Sequence, residues 1–173
     1  MFNGFDIMSI GRYDKHHKLY FFITVRTSRN KLLFGKVNSA TMVLSSYGKI
    51  ASNRISLFNS VHESIFVEDS VIMPNHVHIV LSLKKSGLEF EPTENELKSF
   101  ISDLVEEYKS LTSKETEQFL KEIAVFSDED LNIWHSGCNV KIIDSLNDYG
   151  KIIHHVSKNA EEWLFDKYCP SDI

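Results

Sequence analysis

Alternating and aliphatic runs divide the chain into short strands and amphipathic helices. Lys18–Thr27 (KLYFFITVRT) is rich in β-branched and aromatic residues and reads as a central strand. Phe34-Gly35 is a turn signal, Ala40–Leu44 a second strand, and Ser45-Ser46-Tyr47-Gly48 another turn. From Lys49 to about Ile65, the apolar residues Ile50, Ile55, Leu57, Phe58, Val61 and Ile65 fall at mixed helical spacing. Phe66–Met73 and His76–Leu83 read as strands paired into a hairpin across Pro74-Asn75. Lys84–Glu91 is a loop. Thr93-Glu94-Asn95-Glu96 has the Thr-x-x-Glu form of a capping box, and Leu97, Phe100, Ile101, Leu104, Val105 and Tyr108 then line one helical face. Lys114–Phe126 predicts a second helical piece and Ser127–Asn132 a polar loop. Asn139–Ile143 is β-prone, Ser145 caps a helix over residues 146–158, and Glu161–Tyr168 adds a turn or two. Hairpins separated by helices predict an α+β sandwich with a mainly antiparallel central sheet and helices packed on it.

Composition narrows the class. With 173 residues, 42% of them hydrophobic, and only 3 Pro and 7 Gly, the chain can bury a core, which excludes collagen and a disordered tail. The expectation is a single domain over residues 1–173. Two cysteines cannot supply a four-thiolate metal site. No apolar run reaches the roughly 18 residues of a membrane span, and the N-terminus lacks a signal-peptide pattern, so a cytoplasmic protein is expected.

Charge is unevenly distributed. Residues 1–60 carry nine Lys/Arg against Asp6 and Asp14, whereas residues 61–173 carry ten basic and 22 acidic residues. Such asymmetry fits a basic binding face on an otherwise acidic protein, although an ordinary solvated surface gives the same count. Arg12, Lys18, Arg26, Arg29, Lys31 and Lys36 are candidates for gripping phosphates, with Tyr20, Phe21 and Phe22 offering stacking faces. Strand alternation puts at least one of those phenyl rings in the core. Trp134 and Trp163 read as packing anchors rather than base platforms. The 94–130 segment, with 11 Asp/Glu and 4 Lys, is acidic.

One constellation carries chemistry. On His76–Leu83, period-2 alternation aims His76 and His78 the same way, with α-carbons about 6.5–7 Å apart. The opposite face, Val77, Ile79, Leu81 and Leu83, is wholly aliphatic. A buried imidazole pair needs partners. In the helix after Ser145, His155 and Asn159 lie i, i+4 beside the apolar stripe of Ile152, Ile153 and Val156. If that helix packs on the sheet, two imidazoles and an amide oxygen converge into a mixed N/O site suited to Mg²⁺ or Mn²⁺.

Val71–Leu81 (VIMPNHVHIVL) resembles the His-hydrophobe-His motif of single-tyrosine HUH transposases, especially the REP-associated tyrosine transposase branch of the insertion-sequence-200-like group. Gly11-Arg12-Tyr13 with Tyr20–Arg26 and the Phe34-Gly35 turn resembles that group's opening strand. Tyr108–Thr112, Ile133-Trp134-His135, Ile152–Trp163 and Asp166–Pro170 resemble further family segments in the same order. The resemblance implies a ferredoxin-like or RRM-like sandwich and recognition of single-stranded DNA beside hairpins. It also implies cleavage through a 5′-phosphotyrosine at a metal held by His76, His78 and, in the third position, Asn159.

The chain departs from the family pattern hydrophobe-Tyr-Ile-x-x-Asn-Pro at the decisive helix. His155 stands where the tyrosine would be, and Ala160 replaces the proline. The expectation is therefore a degenerate or repurposed transposase that binds single-stranded or hairpin DNA at the metal site without a tyrosine nucleophile. Strand cleavage by His155, a metal-bound water or another tyrosine is one alternative, and a protein-interaction scaffold without DNA is another. Whether the chain is a monomer or a homodimer is left open.

Overall fold

The computed structural model describes residues 18–61, 63–85, 92–123 and 132–171. In chain order these form β1 (Lys18–Arg26), β2 (Gly35–Asn38), β3 (Thr41–Leu44), α1 (Ser46–Val61), β4 (Ile65–Met73), β5 (His76–Lys84), α2 (Glu94–Glu122), β6 (Asn139–Ile143) and α3 (Leu146–Lys158). Four strands make an antiparallel sheet in the order β4-β5-β1-β6, and β2 and β3 form a separate hairpin. Without that hairpin and α3, the sequence of elements is β-α-β-β-α-β, the ferredoxin-like arrangement. The α+β sandwich with an antiparallel central sheet is thus the observed class.

Two layers of side chains explain why β1 and β5 are central. Phe21, Ile23 and Val25 of β1 and Val77, Ile79, Leu81 and Leu83 of β5 enter the main core. There they meet Ala51, Ile55 and Phe58 of α1 and Leu97, Ile101, Leu104, Val105 and Tyr108 of α2. On the other face, Tyr20 and Val80 pack with Ile143, Ile152 and Val156, so α3 covers the sheet from the opposite side. β5 is buried from His76 to Leu83 because it has a strand on each flank and helices on both faces. A β-bulge in β4, between Val67 and Asp69, keeps this division. The extra residue places Asp69 opposite Val80, on the α3 face, where strict alternation would have put its carboxylate in the apolar core.

Three elements differ from the expectation. α2 is one continuous helix, where the sequence predicts two pieces. Its buried stripe continues past Tyr108 on Thr112 and Thr116, whose hydroxyls disguise it as polar surface. α1 begins at Ser46, with Ser45 Oγ accepting from Gly48 N at 3.1 Å, so the predicted Ser45–Gly48 turn is the helix cap and first turn. β2 has no counterpart in the sequence reading. It is joined to β3 by Ser39 and Ala40, both at positive φ (48° and 61°), a two-residue turn built without the usual Asn-Gly.

Candidate metal centre

β5 delivers His76 and His78, 0% and 2% exposed, to the face beneath α3. Their neighbours across the ladder are Arg26 and Thr24 of β1. α3 starts on a Ser145 cap, Oγ accepting from Asp148 N at 3.1 Å, and seats Ile152 and Val156 on the sheet. That packing carries His155 and Asn159 to the histidine pair. Beyond α3 the chain passes through a short 3₁₀ turn, Trp163–Phe165, anchored by buried Trp163. It then folds back so that Asp166 and Tyr168 also lie against His76.

Each histidine is oriented through its Nδ1. Asn75 is fully buried, and its Nδ2 donates to the carbonyls of Asn30 (3.4 Å) and Tyr168 (2.7 Å). Its Oδ1 therefore faces His76 Nδ1 at 2.9 Å and accepts the ring proton. This leaves His76 Nε2 with a lone pair and no hydrogen-bond partner. His78 Nδ1 lies 3.0 Å from Thr24 Oγ1, and its Nε2 lies 3.4 Å from His155 Nε2. Burial pushes the His76 pKa down to about 4, opposed in part by the Asp166 carboxylate and by the Asn159 amide, which lies close to the ring but outside hydrogen-bond geometry. Burial followed by the neighbouring His76 lowers His78 to about 2. At neutral pH both rings are therefore uncharged, the form that ligates metal.

Asp166 is the residue that sequence reasoning missed. Its side chain is 3% exposed, with Oδ2 3.7 Å from His76 Nε2 and accepting from Asn159 Nδ2 at 2.7 Å. Oδ1 accepts from Tyr168 N at 2.7 Å. Ligand atoms of His76, His78 and Asp166 all fall within 4.8 Å of one another. Asn159 is 1% exposed, and its Oδ1, like His76 Nε2, is buried without a partner. Two orphaned acceptors beside a buried carboxylate and neutral imidazoles form a set that a divalent cation would satisfy. The donor set therefore fits a metal, with Asp166 joining the residues named from the sequence.

An open cavity of about 410 Å³ leads to the site, lined by Phe22, His78, His155, Asn159, Glu162, Phe165, Asp166 and Lys167. His155 is half-buried on its wall and is turned toward His78. Tyr149, six residues earlier on α3, packs edge-on against Tyr20. Tyr168, beyond the end of α3, has its ring 4.8 Å from that of His76, with the Arg26 guanidinium 5.5 Å over its face.

The basic candidates divide. Arg26 sits at the site, and Arg29 and Lys31 are exposed on the turn just after β1, beside Asn75. Lys18 is at the far end of β1, paired with Glu68 at 3.1 Å and lying over Phe66. Lys36 is exposed on the β2–β3 hairpin, and Arg12 lies outside the described residues.

No protein-family model matches the chain. No curated protein matches it either. Among solved structures, a REP-associated tyrosine transposase bound to a REP hairpin is similar over 86% of this chain and 70% of its own. Its TM-score is 0.51, at 15% identity. A candidate transposase from Deinococcus radiodurans R1 aligns over 82% of this chain and 91% of its own, with TM-score 0.46 and 10% identity. At such identity the first likeness is one of fold alone.

Proposed function

We propose that the protein is a transposase-like binder of single-stranded or hairpin DNA built around a divalent-metal site, with no tyrosine in the nucleophile position on α3. The observation that carries this reading is the buried cluster of His76, His78 and Asp166, whose ligand atoms lie within 4.8 Å of one another, with His76 Nε2 buried and without a hydrogen-bond partner. The likeness to a transposase bound to a REP hairpin supports DNA as the partner. A Mg²⁺ or Mn²⁺ ion held there would polarise a phosphodiester. The chain's own groups would position the strand: Arg26, Arg29 and Lys31 at the β1 end, and Lys167 on the cavity wall. Phe22 and Phe165 border the same space.

The test is fluorescence anisotropy with a pool of labelled hairpins carrying random single-stranded flanks. Three phosphate contacts, from Arg26, Arg29 and Lys31, predict that log K falls with log salt at a slope of about −2, or roughly forty-fold between about 50 and 300 mM, and a fourth from Lys167 would steepen it. Replacing Arg26, Arg29 and Lys31 together by Ala should flatten that slope. Binding by the wild type that ignores salt would remove the phosphate contacts and with them the DNA reading.

A second reading, covalent strand cleavage, is favoured by one observation: the Tyr168 ring lies beside His76. It requires the Tyr168 oxygen to attack phosphorus as the P–O3′ bond breaks, the phenol proton passing to solvent and the 3′-oxygen taking one up. A covalent adduct abolished by Tyr168→Phe would establish it.

A further inference from the structure

Two imidazole nitrogens from different elements meet at 3.4 Å: His78 Nε2 on β5 and His155 Nε2 on α3. With no ion between them this is one N–H···N hydrogen bond, whose donor is set by which nitrogen of each ring carries its proton. The same spacing has a second meaning. Two nitrogens bound to one tetrahedral ion at about 2.0–2.1 Å stand about 3.3–3.4 Å apart. His155 therefore stands from His78 at the edge length of a shared coordination sphere, but lies outside the His76, His78 and Asp166 set whose ligand atoms are all within 4.8 Å of one another, so its ring must move inward to complete the sphere.

The surroundings point the same way. His155 projects one helical turn before Asn159 and lines the same cavity as His78 and Asp166. Phe22 braces both rings, tilted on His78 at 4.8 Å and edge-on to His155 at 6.3 Å. Across the site, His76 Nε2 is buried with no partner and the Asp166 carboxylate lies 3.7 Å from it. A tyrosine in this place would be a nucleophile, whereas neutral imidazole is the commonest metal ligand among side chains.

We propose that His155 is the fourth ligand of the ion held by His76, His78 and Asp166. The centre is then a three-histidine, one-carboxylate site for imidazole-preferring ions such as Zn²⁺ or Co²⁺, and its ion fastens α3 and the chain after it to the sheet. The proposal rests on the metal reading above but closes the site: the ion then holds α3 to the sheet rather than polarising a phosphodiester, and Asn159 Oδ1 stays outside its four ligands. His155 occupies the coordination position that an open catalytic site leaves for water or phosphate, so the change from tyrosine removes both the nucleophile and the vacancy it would attack beside. Three nitrogen donors also disfavour Mg²⁺, which prefers oxygen ligands and octahedral geometry.

Co²⁺ titration tests this, followed by calorimetry and by the visible bands, which are intense for a four-coordinate ion and faint for a six-coordinate one. The wild type should bind Co²⁺ with intense bands, Zn²⁺ should displace it, and Mg²⁺ in large excess should not. His155→Ala and His155→Phe, the latter keeping a ring without nitrogen, should each lose about ten- to a hundred-fold in affinity, together with the intense bands. Metal-free circular dichroism of both variants should match the wild type, since His155 is half-buried on a helix surface. Unchanged affinity and spectrum in these variants, with binding still lost in His76→Ala, would overturn the fourth ligand and leave the three-residue site intact. Equal competition by Mg²⁺ would overturn the nitrogen-rich centre. A wild type that takes up none of these ions would bring down the metal reading together with this proposal.

Discussion

His76 is oriented by the residue before it, and that link can be measured. Asn75 Oδ1 takes the His76 Nδ1 proton, while its amide hydrogens tie down Asn30 and Tyr168. Outer partners of this kind typically contribute about ten- to a hundred-fold in metal affinity. Asn75→Ala should weaken Mn²⁺ or Co²⁺ binding by about that factor in a calorimetric titration, and Asn75→Asp, which keeps the acceptor, should lose less. The same two histidines set a pH limit. Their folded pKa values, about 4 and about 2, lie below the unfolded value near 6.5, so their contribution to stability is complete above that pH. It is lost as pH falls from about 6.5 toward 4, where the unfolded chain takes up protons that the folded one refuses. Chelator-treated protein should therefore show a falling denaturation midpoint across that window. A flat midpoint from about pH 7 to about pH 4 would mean that these rings are not buried neutral. At this scale the sequence was legible where chemistry follows spacing. Period 2 on β5 and i, i+4 on α3 brought His76, His78, His155 and Asn159 together. Asp166 follows no such spacing, because it reaches the site through a non-repeating turn held by Trp163.

Helices and strands were legible wherever apolar residues kept a period, and opaque where something else fixed the backbone. The β2–β3 hairpin turns on Ser39 and Ala40 at positive φ, a conformation costly for residues with a β-carbon. Neither residue type signals a turn of this kind, which is why the hairpin escaped the sequence pattern. The double substitution Ser39→Asn with Ala40→Gly should relieve that cost and stabilise the fold by about 1 kcal/mol, or roughly 3 °C in Tm. An unchanged or lower Tm in thermal unfolding would show that the turn holds no such strain. Gly48 runs the other way. Helix propensity favours alanine at an α1 position by about 1 kcal/mol. A β-carbon there, however, would lie 2.1 Å from the Phe34 carbonyl oxygen, a backbone atom. Overpacking of about 1–3 kcal/mol should win, so Gly48→Ala is expected to lower the urea midpoint. A rise would show that the α1 start can move away from Phe34. The continuity of α2 was hidden for a third reason: Thr112 returns its hydroxyl to the Tyr108 carbonyl at 2.7 Å, so a polar residue serves in a buried stripe.

Across the whole molecule, the sheet separates two tasks. The face toward α1 and α2 is built from apolar side chains and holds the fold. The face toward α3 gives up part of its apolar packing to histidines, a carboxylate and two amides at one end. Trp134 and Trp163 serve as packing anchors, as their sequence settings imply: the first lies against Phe34 and Tyr108, the second within 6.1 Å of His76. Among the described residues no helix is long and apolar enough to cross a membrane. The proposed function takes hairpin DNA as the partner, and the absence of a tyrosine at position 155 sets its limit at binding without a covalent link. The most direct measurement runs one sample on two gels, using purified protein, Mn²⁺ and the labelled hairpin pool. The account predicts a shifted band on the native gel and no protein-linked label on the denaturing one. A protein-linked band, mapped by mass spectrometry to Tyr168, His155 or any other residue, or no native shift even at low salt, would contradict it.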